Sequence, residues 1–197
     1  MEAAVAAQEY GADLLGFVFA DSKRQLTLAQ AKEISRQVTG SKKVGVFVNA
    51  PLSEVQRAAH ECYLDYVQLH GDESPEYCSQ VGVPVIKAFR IRPDFSKKEF
   101  AGYKTAWTVF DSFSASQQGG TGLTFNWQQA QHLVSQAPRP LLAAGGLTPE
   151  NVAEAIAILK PDGVDVSGGV ETNGVKDIAK IKRFIAAVRG AETEYAK

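Results

Sequence analysis

A (β/α)8 barrel lacking its first strand is the fold class this sequence predicts, and three observations lead to it. Short apolar runs rich in β-branched and aromatic residues alternate with helical segments, with strands spaced roughly 20–30 residues apart, as in a parallel sheet with helical crossovers. Polar or glycine-rich loops follow nearly every run, and no Gly-x-Gly-x-x-Gly follows the first. That favours a barrel, whose strand-to-helix loops build the active site, over an open doubly wound sheet. Finally, eight helical segments are counted against only seven strands, and the chain opens on a helix. A closed barrel calls for a strand ahead of residues 2–10, between the Leu14 and Gly163 strands, because without it both neighbours expose unpaired edges. The expectation is therefore an α/β TIM barrel with its first β-strand missing from this chain, forming a single domain over residues 1–197.

The elements follow in order. Residues 2–10 are Ala-rich and end at Gly11, which predicts a helix. Leu14-Leu-Gly-Phe-Val-Phe19 reads as a strand, and its loop, Ala20 to Leu26, holds Lys23 and Arg24. Thr27 caps a helix to about Val38, and Lys43-Val-Gly-Val-Phe-Val48 is the next strand. Pro51 stands near the first turn of a helix to about Tyr63. Tyr66-Val-Gln-Leu69 is a strand ending in His70-Gly-Asp-Glu73, and Ser74-Pro-Glu starts another helix. Val85-Ile-Lys-Ala-Phe-Arg90 is a strand followed by a weak helix near Ser96–Phe100. The Ala106 to Phe110 strand comes next, with a helix from Asn126 to Gln136 behind it. Leu141-Leu-Ala-Ala144 ends in Gly145-Gly146, and Thr148-Pro-Glu-Asn supplies a cap, an N1 proline and an acidic turn for a helix to about Leu159. Gly163-Val-Asp-Val166, the loop Ser167-Gly-Gly169 and a helix from about Val175 to Val188 close the series, with a polar tail expected to fray after Gly190.

Composition narrows the function. With 21 basic and 22 acidic residues the net charge is −1, which gives no electrostatic footprint for nucleic acid. No apolar run approaches the ~20 residues a membrane span needs, and the start, Met-Glu-Ala-Ala-Val, has no basic region of a signal peptide. The partner expected is thus a small molecule. The two cysteines, Cys62 and Cys78, form no close metal-type pair and fit a reducing, cytoplasmic setting. Cys62 follows Leu52, Val55 and Ala59 at helical spacing, which puts it on a core-facing stripe. No metal site is expected.

The chemistry centres on residues 106–122. An apolar strand stops at Asp111 and gives way to Ser, Gln and Gly, which expose backbone N–H groups. A carboxylate where a buried strand meets its loop is half desolvated, which tends to raise its pKa and suits it to acid–base work; the competing reading is that Asp111 caps the loop. Gly145-Gly146 ahead of a helix start, and Ser167-Gly168-Gly169 after the last strand, let backbone amides approach an anion closely. These are the positions of strands seven and eight, where barrels of this class hold phosphate; otherwise they are tight turns. A nucleotide P-loop is set aside, since in Gly169-x-x-x-x-Gly174 the Lys comes one place late and no Ser or Thr follows it.

Read together, Gly11-Ala-Asp-Leu-Leu-Gly-Phe-Val-Phe19, Ser22-Lys-Arg24, Gly45-Val-Phe-Val-Asn49, Val67-Gln-Leu-His-Gly-Asp-Glu73, Asp111 with Gly119-Gly-Thr-Gly122, Ala144-Gly-Gly-Leu147 and Gly163-Val-Asp-Val-Ser-Gly-Gly-Val-Glu171 resemble the phosphoribosylanthranilate isomerases of tryptophan biosynthesis. The resemblance implies an Amadori rearrangement of a phosphorylated aminoaldose to an aminoketose with no cofactor, by a monomer or homodimer. It implies Asp111 as general acid, Arg24 as partner of the anthranilate carboxylate, and Gly145, Gly146, Ser167, Gly168 and Gly169 as the phosphate cradle. Asp165, at the end of the last strand, is expected near the substrate's amino or ribose groups or in a purely structural role. His70, also at a strand end, is expected as a substrate-side loop residue fixed by hydrogen bonds rather than as a catalytic base. Lys23 and Gly168 depart mildly from the pattern, standing where many members have proline and serine. The family's general base is a cysteine in a Lys-x-Cys-Gly stretch of the first strand, and this sequence starts after that point, with Cys62 and Cys78 both in helical segments. The expectation is an isomerase short of its base, or a barrel that still binds phosphorylated anthranilate-type ligands. The histidine-pathway isomerase, which performs the same rearrangement with two aspartates, would carry a half-barrel repeat that is not seen here.

Overall fold

The computed structural model describes residues 1–92, 94–112 and 127–195. Seven parallel strands follow chain order in one sheet: β1 (Leu14–Val18), β2 (Lys42–Phe47), β3 (Tyr66–Leu69), β4 (Val85–Ile91), β5 (Trp107–Ser112), β6 (Leu141–Ala144) and β7 (Gly163–Val164). Helices α1 (Glu2–Glu9), α2 (Leu28–Gln37), α3 (Leu52–Glu61), α4 (Pro75–Ser79), α5 (Trp127–Val134), α6 (Val152–Leu159) and α7 (Ile178–Tyr195) stand before, between and after them. The expected alternation holds. By contacts the chain divides into two compact units, Met1–Ala88 with Gly102–Ala106, and Phe89–Ala101 with Trp107–Lys197.

In the first unit β1 pairs with β2 and β2 with β3 in parallel register, Val44 facing Gly16 on one side and Tyr66 on the other. The apolar residues Leu15, Phe17, Phe47, Val67 and Leu69 on one sheet face and Val44 on the other are buried, and Phe19 stacks on Phe47 with centroids 4.9 Å apart. Gly45 is packed closely on one face, since a Cβ there would run into Leu64 Cδ1 and lie 2.8 Å from Phe47 Cε2. Thr27 caps α2 as expected and forms a capping box with Gln30. Cys62 closes α3 and is fully buried, while Cys78 is buried in α4. Burial pushes both thiols above the ordinary range, which suits structural cysteines rather than nucleophiles.

In the second unit Val109, Phe110 and Leu141–Ala144 are buried. Phe89, Phe95, Phe100 and Phe110 form a cluster in which Phe100 stacks on Phe110 at 5.5 Å and meets Phe89 edge-on at 5.1 Å. The weak helix near Ser96–Phe100 is a 3-10 turn, Lys97–Phe100, closed by a Ser96–Glu99 capping box.

Three boundaries differ most from expectation. The sixth long helix starts at Val152, not beside Thr148, because residues 148–151 close a turn of their own. Asn151 Oδ1 accepts from Thr148 N–H at 2.8 Å, and Thr148 Oγ1 accepts from Glu150 N–H at 3.2 Å. Val175 does not begin the final helix. Glu171–Thr172 (β8) and Val175–Lys176 (β9) pair antiparallel across Asn173-Gly174, both at positive φ (53° and 78°), the backbone that a two-residue hairpin of this twist requires. The last helix then runs on to Tyr195 instead of fraying after Gly190, with Ala191 buried. Among the described residues no helix is long and apolar enough to cross a membrane.

Candidate active site

The second unit gathers most of the expected residues at the C-terminal ends of three neighbouring strands. Asp111 stands one residue before the end of β5, half-buried, in register with Ala144 at the end of β6. On the other side of β6, Asp165 follows β7 directly, and its N–H donates to Ala143 O at 2.9 Å. Adjacent strands are about 4.8 Å apart, so Asp111 and Asp165 flank the point where β6 opens into Gly145-Gly146. The two glycines take φ of 90° and 65°, a conformation that L side chains rarely adopt. Asn151 Nδ2 donates to Gly146 O at 3.0 Å and fixes the loop from its far side.

The loop after β7 packs straight onto this one. Ser167-Gly168-Gly169 leads into a 3-10 turn, Gly168–Val170. A Cβ on Gly169 would overlap the carbonyl oxygen of Leu147 and stand 3.1 Å from Thr148 Cα, so only glycine permits the approach. Ser167 is exposed, and its carbonyl accepts from Lys176 Nζ at 2.8 Å; the same ammonium pairs with Glu171 at 3.1 Å. Two glycine-rich segments thus lie in contact beside the Asp111 strand end, a backbone arrangement able to present N–H groups to an anion. The expected Gly119–Gly122 stretch lies outside the described residues.

In the first unit Arg24 is half-buried in a tight turn after β1, where its N–H donates to Ser22 Oγ at 3.2 Å and Gln25 N–H donates to Ser22 O at 3.0 Å. His70 follows β3, half-buried, with its N–H on Phe47 O at 2.9 Å. The Gln68 amide lies 3.2 Å from His70 Nδ1.

Sequence reasoning passed over Lys87 and Lys176. Lys87 is buried in the middle of an apolar strand and must be paired there, which makes the acidic end of His70-Gly-Asp-Glu73 its natural partner. Lys176 was hidden by the helix expected at Val175, although Asn173-Gly174 is a strong hairpin signal. Among the described residues no group of three or more His, Cys, Asp or Glu could hold a metal ion.

The family model for N-(5'phosphoribosyl)anthranilate (PRA) isomerase matches residues 1–187. The chain belongs to this family. It is 48% identical over 193 residues to the N-(5'-phosphoribosyl)anthranilate isomerase of Geobacter sulfurreducens, covering 96% of this chain and 94% of that one. Among solved structures, the dimeric phosphoribosylanthranilate isomerase of Thermotoga maritima, described as mutually generated monomers, aligns with a TM-score of 0.84 and 35% identity over 96% of this chain and 93% of its own. A phosphoribosylanthranilate isomerase in complex with reduced 1-(o-carboxyphenylamino)-1-deoxyribulose 5-phosphate aligns at 0.80 and 34% identity, over the same shares of the two chains. The fold class is accordingly α/β of the TIM-barrel type, with seven parallel strands.

Proposed function

We infer that the chain is an aldose–ketose isomerase of tryptophan biosynthesis, acting on N-(5-phosphoribosyl)anthranilate to give 1-(2-carboxyphenylamino)-1-deoxyribulose 5-phosphate. Family membership supports the reaction, and the observation that carries the site is the Gly169 backbone seated on Leu147, beside the Asp111 strand end. In this reading Asp111 gives its proton to the ribose ring oxygen as the C1–O bond breaks, while the anthranilate nitrogen's lone pair forms the C1=N bond. A general base, which the resemblance places in a Lys-x-Cys-Gly stretch not among these residues, takes the C2 proton. The C2–H electrons form the C1=C2 bond of an enolamine as the C1=N pair returns to nitrogen. Protonation at C1 with loss of the C2 hydroxyl proton gives the ketone. The substrate's own nitrogen is the electron sink, so no cofactor is called for. Proton abstraction is not a role for Cys62 or Cys78, whose thiols burial pushes up. Arg24 supplies a planar bidentate donor to the anthranilate carboxylate. The amides of Gly145, Gly146, Gly168 and Gly169, with Ser167, hold the phosphate. Asp165 faces the amino or ribose groups, and His70 stands on the substrate side of its loop. The setting proposed is cytoplasmic, with the chain a monomer or homodimer.

Calorimetry with the reduced product analogue tests the cradle. The analogue should bind and its dephosphorylated form far less; equal affinities for the two would remove the glycine loops from the site.

A further inference from the structure

Among the described residues Lys87 is the largest fully buried side chain, and its partner Glu73 is buried equally, both side chains at 2% exposure. The pair sits beside the C-terminal end of β3, where Leu69 is in register with Lys87 within β4. Lys87 Nζ lies 3.1 Å from Glu73 Oε2 and donates to the carbonyls of Leu69 at 3.1 Å and Gly71 at 2.7 Å, the residues on either side of His70. Glu73 turns both oxygens on backbone as well: Oε1 accepts from Asn49 N–H at 2.8 Å and Oε2 from Gly71 N–H at 2.9 Å. Asn49, at φ 49°, completes the tie through Oδ1, which accepts from Asp72 N–H at 2.7 Å. Gly71 lies so close to Asn49 that a Cβ would overlap Asn49 Oδ1.

A buried ion pair is a poor source of stability, because desolvation of both charges offsets most of their attraction, and apolar residues of the same volume often do as well. What this pair does that an apolar pair could not is define a backbone path. The carbonyls flanking His70 are drawn to one ammonium, and the N–H groups of Gly71 and Asn49 to one carboxylate. We propose that Lys87 and Glu73 are positioning residues: they hold the Leu69–Gly71 backbone, and through it the His70 ring, in the orientation that meets the substrate. This rests on the reading of His70 given above.

The test is a double-mutant cycle on affinity for the reduced product analogue, measured by calorimetry well below the melting temperature. The cycle uses His70→Ala, the charge-neutral double variant Lys87→Met/Glu73→Gln, and all three changes together. His70→Ala and the pair variant should each weaken the analogue roughly fivefold, the scale of one lost hydrogen bond. The triple variant should bind no more weakly than His70→Ala alone, and inorganic phosphate should bind all four chains equally. Losses that multiply in the triple variant, or a pair variant that binds like the parent, would show the pair to be structural only and overturn the proposal. A His70→Ala chain with unaltered affinity would overturn both this and the reading of His70. If the pair variant does not fold, Asn49→Gly repeats the cycle. It removes the Oδ1 tie at an exposed site that glycine's φ suits, and independent losses with His70→Ala there would equally overturn the proposal.

Discussion

Arg24 and Lys87 show how differently two cations are held within one unit. Arg24 is half-buried in a turn that its own backbone N–H closes on Ser22, whereas Lys87 is sealed from water and surrounded by carbonyl oxygens and Glu73. The first suits a ligand contact and the second a fixed scaffold. Arg24→Ala should therefore weaken the reduced analogue by about 1.5–3 kcal/mol, the worth of a charge-assisted hydrogen bond. Inorganic phosphate should bind as before. Arg24→Lys should recover only part of the loss, since an ammonium cannot match the planar fork. Calorimetry on the three chains decides it, and an unchanged affinity for the analogue in Arg24→Ala would take the residue out of the site. Such residues differ in how far sequence reveals them. Asp111 was readable because an apolar run ends on a carboxylate, and Arg24 because of the resemblance around it. Lys87 was not, because its partners are mostly backbone carbonyls, which no pattern of side chains encodes.

At the scale of elements, the strands were the most readable part, since short buried β-rich runs admit few alternatives. β3 and β6 fall where expected to the residue, and β1, β2 and β5 within one or two positions. Helix starts were less readable where side chains satisfy an N–H group without starting a helix, as Thr148 and Asn151 do. The contact of the two glycine loops was invisible in sequence and gives a sharp prediction. Gly169→Ala forces its methyl into the Leu147 carbonyl, so backbone must move. Overpacking of this kind costs about 1–3 kcal/mol of stability. Affinity for the phosphorylated analogue should also fall by about tenfold or more, as near 1.4 kcal/mol is lost, with the dephosphorylated form unaffected. A second element-level prediction concerns Asp162, whose Oδ2 accepts from Arg139 Nη1 at 2.8 Å and from Leu141 N–H at 2.7 Å at the start of β6. Burial is the largest single influence on this carboxyl and pushes upward, but the hydrogen bonds from Arg139, Leu141 and its own backbone, with the Arg139 charge, together hold the pKa below the ordinary value. A depressed folded pKa means the stabilisation is complete above the unfolded value of about 3.9 and is lost as pH falls through the folded one. Thermal melts of the parent and Asp162→Asn should differ at pH 7 and converge in strong acid. A constant gap across that range would show that the carboxylate's charge is not what matters.

For the molecule as a whole, a nearly neutral chain of ordinary hydrophobic content left its class to be read from alternation and loop chemistry, and the sequence order of seven parallel strands follows from that alternation. What alternation cannot supply is the closeness of segments far apart in the chain, such as Asn49 on Gly71 or Leu147 on Gly169, which only folding reveals. Such contacts should make ligand binding and stability strongly linked. A ligand that binds only the folded chain stabilises it by about 2.7 kcal/mol at one hundred times its Kd. For a chain of this size each kcal/mol raises Tm by roughly 2–4 °C. The reduced product analogue at that excess should therefore raise Tm by roughly 5–11 °C, from the product of those two figures. Inorganic phosphate, engaging the glycine loops alone, should do so only at far higher concentration. At the same analogue concentration, Gly169→Ala should lose about half of the shift or more, and Arg24→Ala about half to nine-tenths of it. A shift of parent size in Gly169→Ala would mean that the analogue is held without the cradle, and the phosphate would have to be sought on other backbone amides.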